Sequence, residues 1–185
     1  MATAEDIRFL AEQEHYELIG GKIVPLPPGT PRHGFSLFNL GACLGNALHH
    51  PSDRRGPGGW WILLGVHIEC APDQILRPDL VGFRRERVPR LTDEFPMRTR
   101  PDWVCEVLSE GHERVDRFVK RSVYQRYEIP HYWIVDPVQE TLTVLRWTPE
   151  GHVIVADALR GERLRAEPFE AVEIDVDAIF GDVAE

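Results

Sequence analysis

A chain of 185 residues with 43% apolar content is long enough to bury a core, and 28% charged residues with five tryptophans exclude a disordered segment. The formal net charge of −9 argues against gripping nucleic acid by bulk positive charge, though it leaves room for a local basic surface. The N-terminus MATAEDIRFLAEQEHYE has no signal-peptide core and no apolar run approaches membrane-span length, so one cytoplasmic domain over 1–185, without a membrane anchor, is expected.

Residues 3–14 read as a first helix, with Thr3 as its cap and Ile7, Leu10 and Ala11 on one face. YELIGGKIVPL at 16–26 is two short strands turning at Gly20-Gly21. PLPPGTP breaks the chain, and 32–49 then reads as a helix with Phe35, Phe38, Leu44 and Leu48 apolar. Gly34, Gly41 and Gly45 either weaken that helix or let it lie close to a neighbour. His49-His50 before Pro51 marks a helix end rather than a metal site, because adjacent helical residues point to different faces. Cys43, Cys70 and Cys105, widely spaced in apolar surroundings, read as buried free thiols rather than disulfides or a zinc site.

Strands follow near 60–70, 78–83 and 102–108, then a helix at about 112–128 with Val115, Phe118, Val119, Val123 and Tyr127 as its apolar stripe. HYWIVDP at 131–137 is a short buried strand. The strand–helix–strand run over 102–136 has the length of a crossover unit, which would make its two strands parallel. TLTVLRW and HVIVADAL alternate as a pair around Pro149-Glu150-Gly151, and a last strand lies near 169–175. The class is mixed α and β around one sheet. Trp60-Trp61 and Trp133 read as core or interface aromatics, with Trp60 or Trp61 half exposed, and His67 as a satisfied histidine. The arginines of RRERVPRLTDEFPMRTR, 84–100, read as solvated loop charge.

WVCEVL at 103–108 puts Glu106 in the middle of a strand with a buried pattern, where an unpaired carboxylate costs several kcal/mol. Alternation sets Val104, Glu106 and Leu108 on one face and Trp103, Cys105 and Val107 on the other. An arginine, a lysine or a metal would have to meet the glutamate. A metal needs a second acid. Asp102 lies four residues away on the same strand, roughly 13 Å, too far to share one ion. Asp73 sits in the turn APDQ. Asp79, opening a strand that could pair beside 102–108, is the best partner, with Arg77 as the rival explanation through ion pairing. The cation would come from the following helix, where Lys120 returns toward the height of Glu106 with Asp116 and Tyr124 one turn either side. Taken alone, Asp116 and Lys120 read as an exposed helix pair worth a few tenths of a kcal/mol. His131 is a lesser candidate, facing the site from the strand mouth.

RPD at 77–79, EVL at 106–108 and DRFVK at 116–120, in this order and spacing, resemble the PD-(D/E)XK nuclease superfamily in the variant whose lysine has migrated from strand to helix. EVLS, D-x-x-x-K-x-x-x-Y and YWIVDP make the chain similar, over nearly its whole length, to the Uma-two type of restriction-endonuclease-like proteins. The resemblance implies an α+β fold, a mixed central sheet flanked by helices in an α/β/α-like arrangement. It implies Asp79 and Glu106 as ligands of Mg²⁺ (or Mn²⁺ in its place) and Lys120 as the catalytic lysine. Glu17, His33 and Tyr124 occupy matching positions in supporting roles. The implied activity is metal-dependent hydrolysis of phosphodiester bonds in nucleic acid, DNA in particular, and a homodimer suits cutting both strands. The alternative is a non-catalytic module that binds nucleic acid or protein on the same fold, which the acidic balance favours. Two departures stand out: Gly20 where an acid is common, and SEGH at 109–112 in place of Ser-Pro-Ser, which could re-aim the helix bearing Lys120.

Overall fold

A computed structural model describes residues 2–11, 16–49 and 57–181. Helix α1, Ala4–Ala11, is capped reciprocally, the Asp6 carboxylate accepting from the Thr3 amide at 2.8 Å while Thr3 Oγ1 accepts from the Asp6 amide at 3.5 Å. Ile7 is buried, and residues 12–14 of the expected helix lie outside the described residues. Strands β1, Tyr16–Ile19, and β2, Lys22–Pro25, form the expected hairpin about Gly20-Gly21. Helix α2, Pro31–Leu48, starts one residue before the expected 32, with Thr30 accepting from the His33 amide and Pro31 in the first turn, where its missing N–H costs nothing. His49 closes the helix, and His50 lies outside the described residues.

The main sheet has the order β10-β9-β8-β7-β6-β3, built from β3 Trp60–Leu64, β6 Leu80–Arg84, β7 Trp103–Val107, β8 His131–Asp136, β9 Thr141–Thr148 and β10 Gly151–Leu159. β7 and β8 run parallel, as the crossover length required, and the other neighbours are antiparallel. Alternation along β7 divides two cores. Trp103, Cys105 and Val107 pack with Leu40, Leu44 and Leu48 of α2, whereas Val104 and Leu108 pack with Val123 and Tyr124 on the opposite face. Glu106 belongs to the second face.

One sheet was expected, but the described residues form three. Gly65 stops the stretch near 60–70, so β3 stays in the main sheet while β4, Ile68–Ala71, joins β5, Gln74–Leu76, and the first hairpin in a second sheet of order β2-β1-β5-β4. The strand near 169–175 shrinks to β12, Ile174–Asp175, which pairs with β11, Arg163–Leu164, before α4, Val176–Phe180. The helix after β7 opens as a π-helical turn, Val115–Lys120, and continues as α3, Arg121–Arg126. The expected apolar stripe therefore holds only in its second half: Val123 is buried and Tyr127 packs against the core, but Phe118 is 68% exposed, and Asp116 and Lys120 are buried in its stead. On α2, likewise, Phe38 is 70% exposed, and the buried positions are Ser36, Leu40, Leu44 and Leu48. Trp60 and Trp133 are core residues, Trp61 is half-buried, and His67 is buried with its Nε2 3.0 Å from the Tyr16 carbonyl. Of the three free thiols, Cys105 is buried, while Cys43 and Cys70 are half-buried. Among the described residues no helix is long and apolar enough to cross a membrane.

Candidate active site

The register of the main sheet brings the start of β6 beside the end of β7, with Leu80 opposite Cys105. Asp79 therefore sits at the C-terminal end of β7, and its Oδ2 accepts from the Val107 amide at 2.8 Å. Its Oδ1 lies 3.3 Å from His33 Nε2, and His33 Nδ1 lies 3.0 Å from Ser109 Oγ. A chain Ser109–His33–Asp79 thus ties α2 to the ends of two strands. Arg77, the rival partner, does not pair with Asp79: its Nε donates to the Gly65 carbonyl at 2.9 Å.

Glu106 is met by a lysine rather than an arginine. Lys120 Nζ lies 3.1 Å from Glu106 Oε2, 2.9 Å from Glu17 Oε1 and 3.2 Å from Asp116 Oδ1, and Tyr124 donates its hydroxyl to Glu106 Oε1 at 2.5 Å. The exposed Asp116–Lys120 helix pair expected from spacing alone is a buried one, because the π-helical turn faces the cavity rather than solvent. His131 is not in the site: it stands at the opposite end of the sheet, opposite Trp103, with Nδ1 3.6 Å from Glu167 Oε2. Asp102 is also at that end, accepting from the Arg84 amide at 2.9 Å and from Arg87.

Glu17, His33, Asp79, Glu106, Ser109, Asp116 and Lys120 line one cavity of about 270 Å³ together with the Pro25–Pro27 segment. Burial raises the carboxyl pKa of Glu106 well above its ordinary value, Lys120 offsets part of the shift, and the neighbouring acids Asp116, Asp79 and Glu17 add to it. Glu17 and Asp116 are raised for the same reason. Burial would pull Lys120 down, but Glu106, Glu17 and Asp116 drive it well above its ordinary value, so the amine is a fixed ammonium. His33 is also raised, because its contact with Asp79 outweighs desolvation. Acids outnumber cations in this space, which is the environment a further cation would neutralise.

The residues suit a hard divalent ion. Each oxygen of Asp79 and Glu106 has one partner and keeps a second lone-pair position, and Mg²⁺ takes carboxylate oxygens while retaining several waters. Among the described residues no three His, Cys, Asp or Glu side chains converge on a ready-made metal position, so solvent would have to complete the shell. Spacing along the sequence brings Asp79, Glu106, Lys120 and Tyr124 together, and the resemblance adds Glu17 and His33. Sequence reasoning missed Ser109, whose signal was hidden in the departing turn SEGH; it paired Asp116 with Lys120 but set the pair on the surface, whereas both are buried.

Comparison with known proteins finds a family and similar solved structures. A family model described as "Uma2: Putative restriction endonuclease" matches residues 4–177. The crystal structure of a "putative nuclease belonging to DUF820" from Anabaena variabilis is similar, with a TM-score of 0.74 and 18% identity over 97% of this chain and 98% of that one. No curated protein matches. The structural likeness establishes the fold: a mixed central sheet flanked by helices, of the restriction-endonuclease-like kind.

Proposed function

The chain belongs to the Uma2 family, described as "Putative restriction endonuclease", and from that premise we propose that it is a nuclease hydrolysing phosphodiester bonds of nucleic acid, DNA in particular, with Mg²⁺ or Mn²⁺. The observation that carries the reading is the Lys120 ammonium held among Glu17, Glu106 and Asp116 in a cavity that Asp79 also lines. Two strand-end carboxylates, Asp79 and Glu106, would hold the ion. A bound divalent ion supplies Lewis-acid polarisation of the phosphate and a water of lowered pKa.

The chain's own residues do the rest. His33 and the Val107 amide fix both oxygens of Asp79, so this acid is oriented before substrate arrives. Tyr124 and Lys120 do the same for Glu106. Lys120 contributes preorganised positive charge toward the reacting phosphate. All three of its N–H donors are engaged, so it reaches substrate by exchanging one carboxylate. Asp116, with 10% side-chain exposure against 1% for Glu17 and 2% for Glu106, is the partner best situated to give way.

Single- and double-stranded DNA and RNA, incubated with EDTA, Mg²⁺ or Mn²⁺, test the reading. Cleavage that needs the divalent ion is expected, falling at least about a hundredfold in Glu106→Gln with an unchanged circular dichroism spectrum. No cleavage on the whole panel, together with no Mn²⁺ uptake, would sink it. The acidic charge of −9 favours the second reading, a binding module on the same fold, which predicts no Mn²⁺ heat that depends on Glu106. A homodimer that pairs two such sites belongs to the nuclease proposal and not to the second reading.

A further inference from the structure

Arg77 lines the same cavity, between the end of β5 and the Pro78-Asp79 pair, and neither the metal ligands nor the residues that orient them engage its side chain. It is held at two points. Its amide donates to Glu17 Oε1 at 2.7 Å, and its Nε donates to the Gly65 carbonyl at 2.9 Å. Gly65 is the seat of the guanidinium: its φ of +57° disfavours any side chain, and a Cβ there would run into Nη2 and come within 2.8 Å of Cζ.

Anchoring through Nε and the backbone leaves Nη1 and Nη2 without a partner among the described residues. Among the described residues Arg77 forms no ion pair, although the cavity is rich in acids. The acids are taken: Asp79 by His33 and the Val107 amide, Glu17 and Glu106 by Lys120. Arginines elsewhere are treated differently, Arg87 meeting Asp102, Arg117 meeting Asp136 and Arg146 meeting Glu167. A planar fork with free terminal N–H groups, already ordered by its own fold, matches two oxygens of a tetrahedral anion. In an acid-lined cavity, such an anion needs a cation of this kind to enter at all.

We propose that Arg77, seated on Gly65, is the phosphate-binding residue of this cavity, taking the non-bridging oxygens of a phosphodiester. Its part in cleavage rests on the nuclease reading. Its anion binding does not.

Two measurements separate these. Inorganic phosphate, titrated without divalent metal and followed by ³¹P line width, should bind the wild type saturably. Arg77→Gln should weaken that binding about tenfold or more, and Arg77→Lys, which keeps the charge and loses the fork, should also weaken it. In the cleavage assay with Mn²⁺, Arg77→Gln should raise KM and lower kcat/KM while Mn²⁺ affinity stays at the wild-type value. Unaltered phosphate binding in both variants, or no saturable binding by the wild type, overturns the inference. So does a cleaving wild type matched by Arg77→Gln in KM and kcat, which leaves the nuclease reading standing. Phosphate binding that depends on Arg77 in a protein that cleaves nothing supports the anion site and removes the nuclease reading. Should Arg77→Gln fail to fold, Arg77→Lys carries the test alone: weakened phosphate binding supports the site, and wild-type binding overturns it.

Discussion

Lys120 has three N–H donors and spends each on a different carboxylate, Glu17, Glu106 and Asp116. An ammonium only 3% exposed survives in the interior because those partners replace its hydration, and removing it would strand three acids, a change of the kind that costs about 3–5 kcal/mol. Asp79 is held by the Val107 amide and by a histidine that is in turn held by a serine. His33 is therefore a positioning residue. His33→Ala should weaken Mn²⁺ binding about 10–100-fold, as loss of a group that orients a metal ligand commonly does. Ser109→Ala should cost less, about the value of one neutral hydrogen bond. Calorimetry with Mn²⁺ reads both, and equal affinities for His33→Ala and wild type would remove His33 from this role. A histidine before Gly34 and a serine after Leu108 carry no periodic or spacing signal. They meet because a helix terminus and two strand ends converge, and a lone sequence does not encode that distance locally.

At the level of elements, alternation and caps were legible and the irregular pieces were not. The start of α2 comes one residue before the expected 32, because the first turn tolerates Pro31 and Thr30 supplies the side-chain acceptor. The parallel pairing of β7 with β8 follows from crossover length alone. Periodicity fails at Val115–Lys120, because a π-helical turn has a wider repeat than 3.6 residues and swings Asp116 and Lys120 inward where an α-helix would bury Phe118. The break at Gly65 is likewise invisible to a hydrophobic pattern that runs on from β3 to β4. The glycines of α2 divide by what surrounds them. A Cβ at Gly41 would touch Leu80 at 3.4 Å, whereas one at Gly34 meets nothing within 4 Å. Gly34→Ala should therefore stabilise the protein by about 1 kcal/mol, through helix propensity alone, and Gly41→Leu should destabilise it by about 1–3 kcal/mol through overpacking. Urea unfolding of the two variants checks this, and the opposite order would mean that α2 does not lie on β6 at Gly41.

For the molecule as a whole, charge is arranged more tightly than the sequence suggests. The arginine-rich segment at 84–100 is solvated in part, Arg90 being exposed, but its other arginines also have partners in the fold. Arg84 stacks 4.5 Å above the Trp60 ring, Arg85 lies 3.4 Å from the Trp61 ring centre, Arg98 meets Glu69 and Glu94, and Arg100 meets Glu128. In the candidate cavity, by contrast, acids stand in excess. That excess leads back to a cation, because carboxylates whose pKa values are raised by burial and by one another are stabilised by added positive charge. The most direct measurement is a crystal structure obtained with Mn²⁺, using anomalous scattering to locate the ion. A peak in contact with both Asp79 and Glu106 is predicted. An empty cavity at saturating Mn²⁺, or ions bound solely elsewhere, would contradict it.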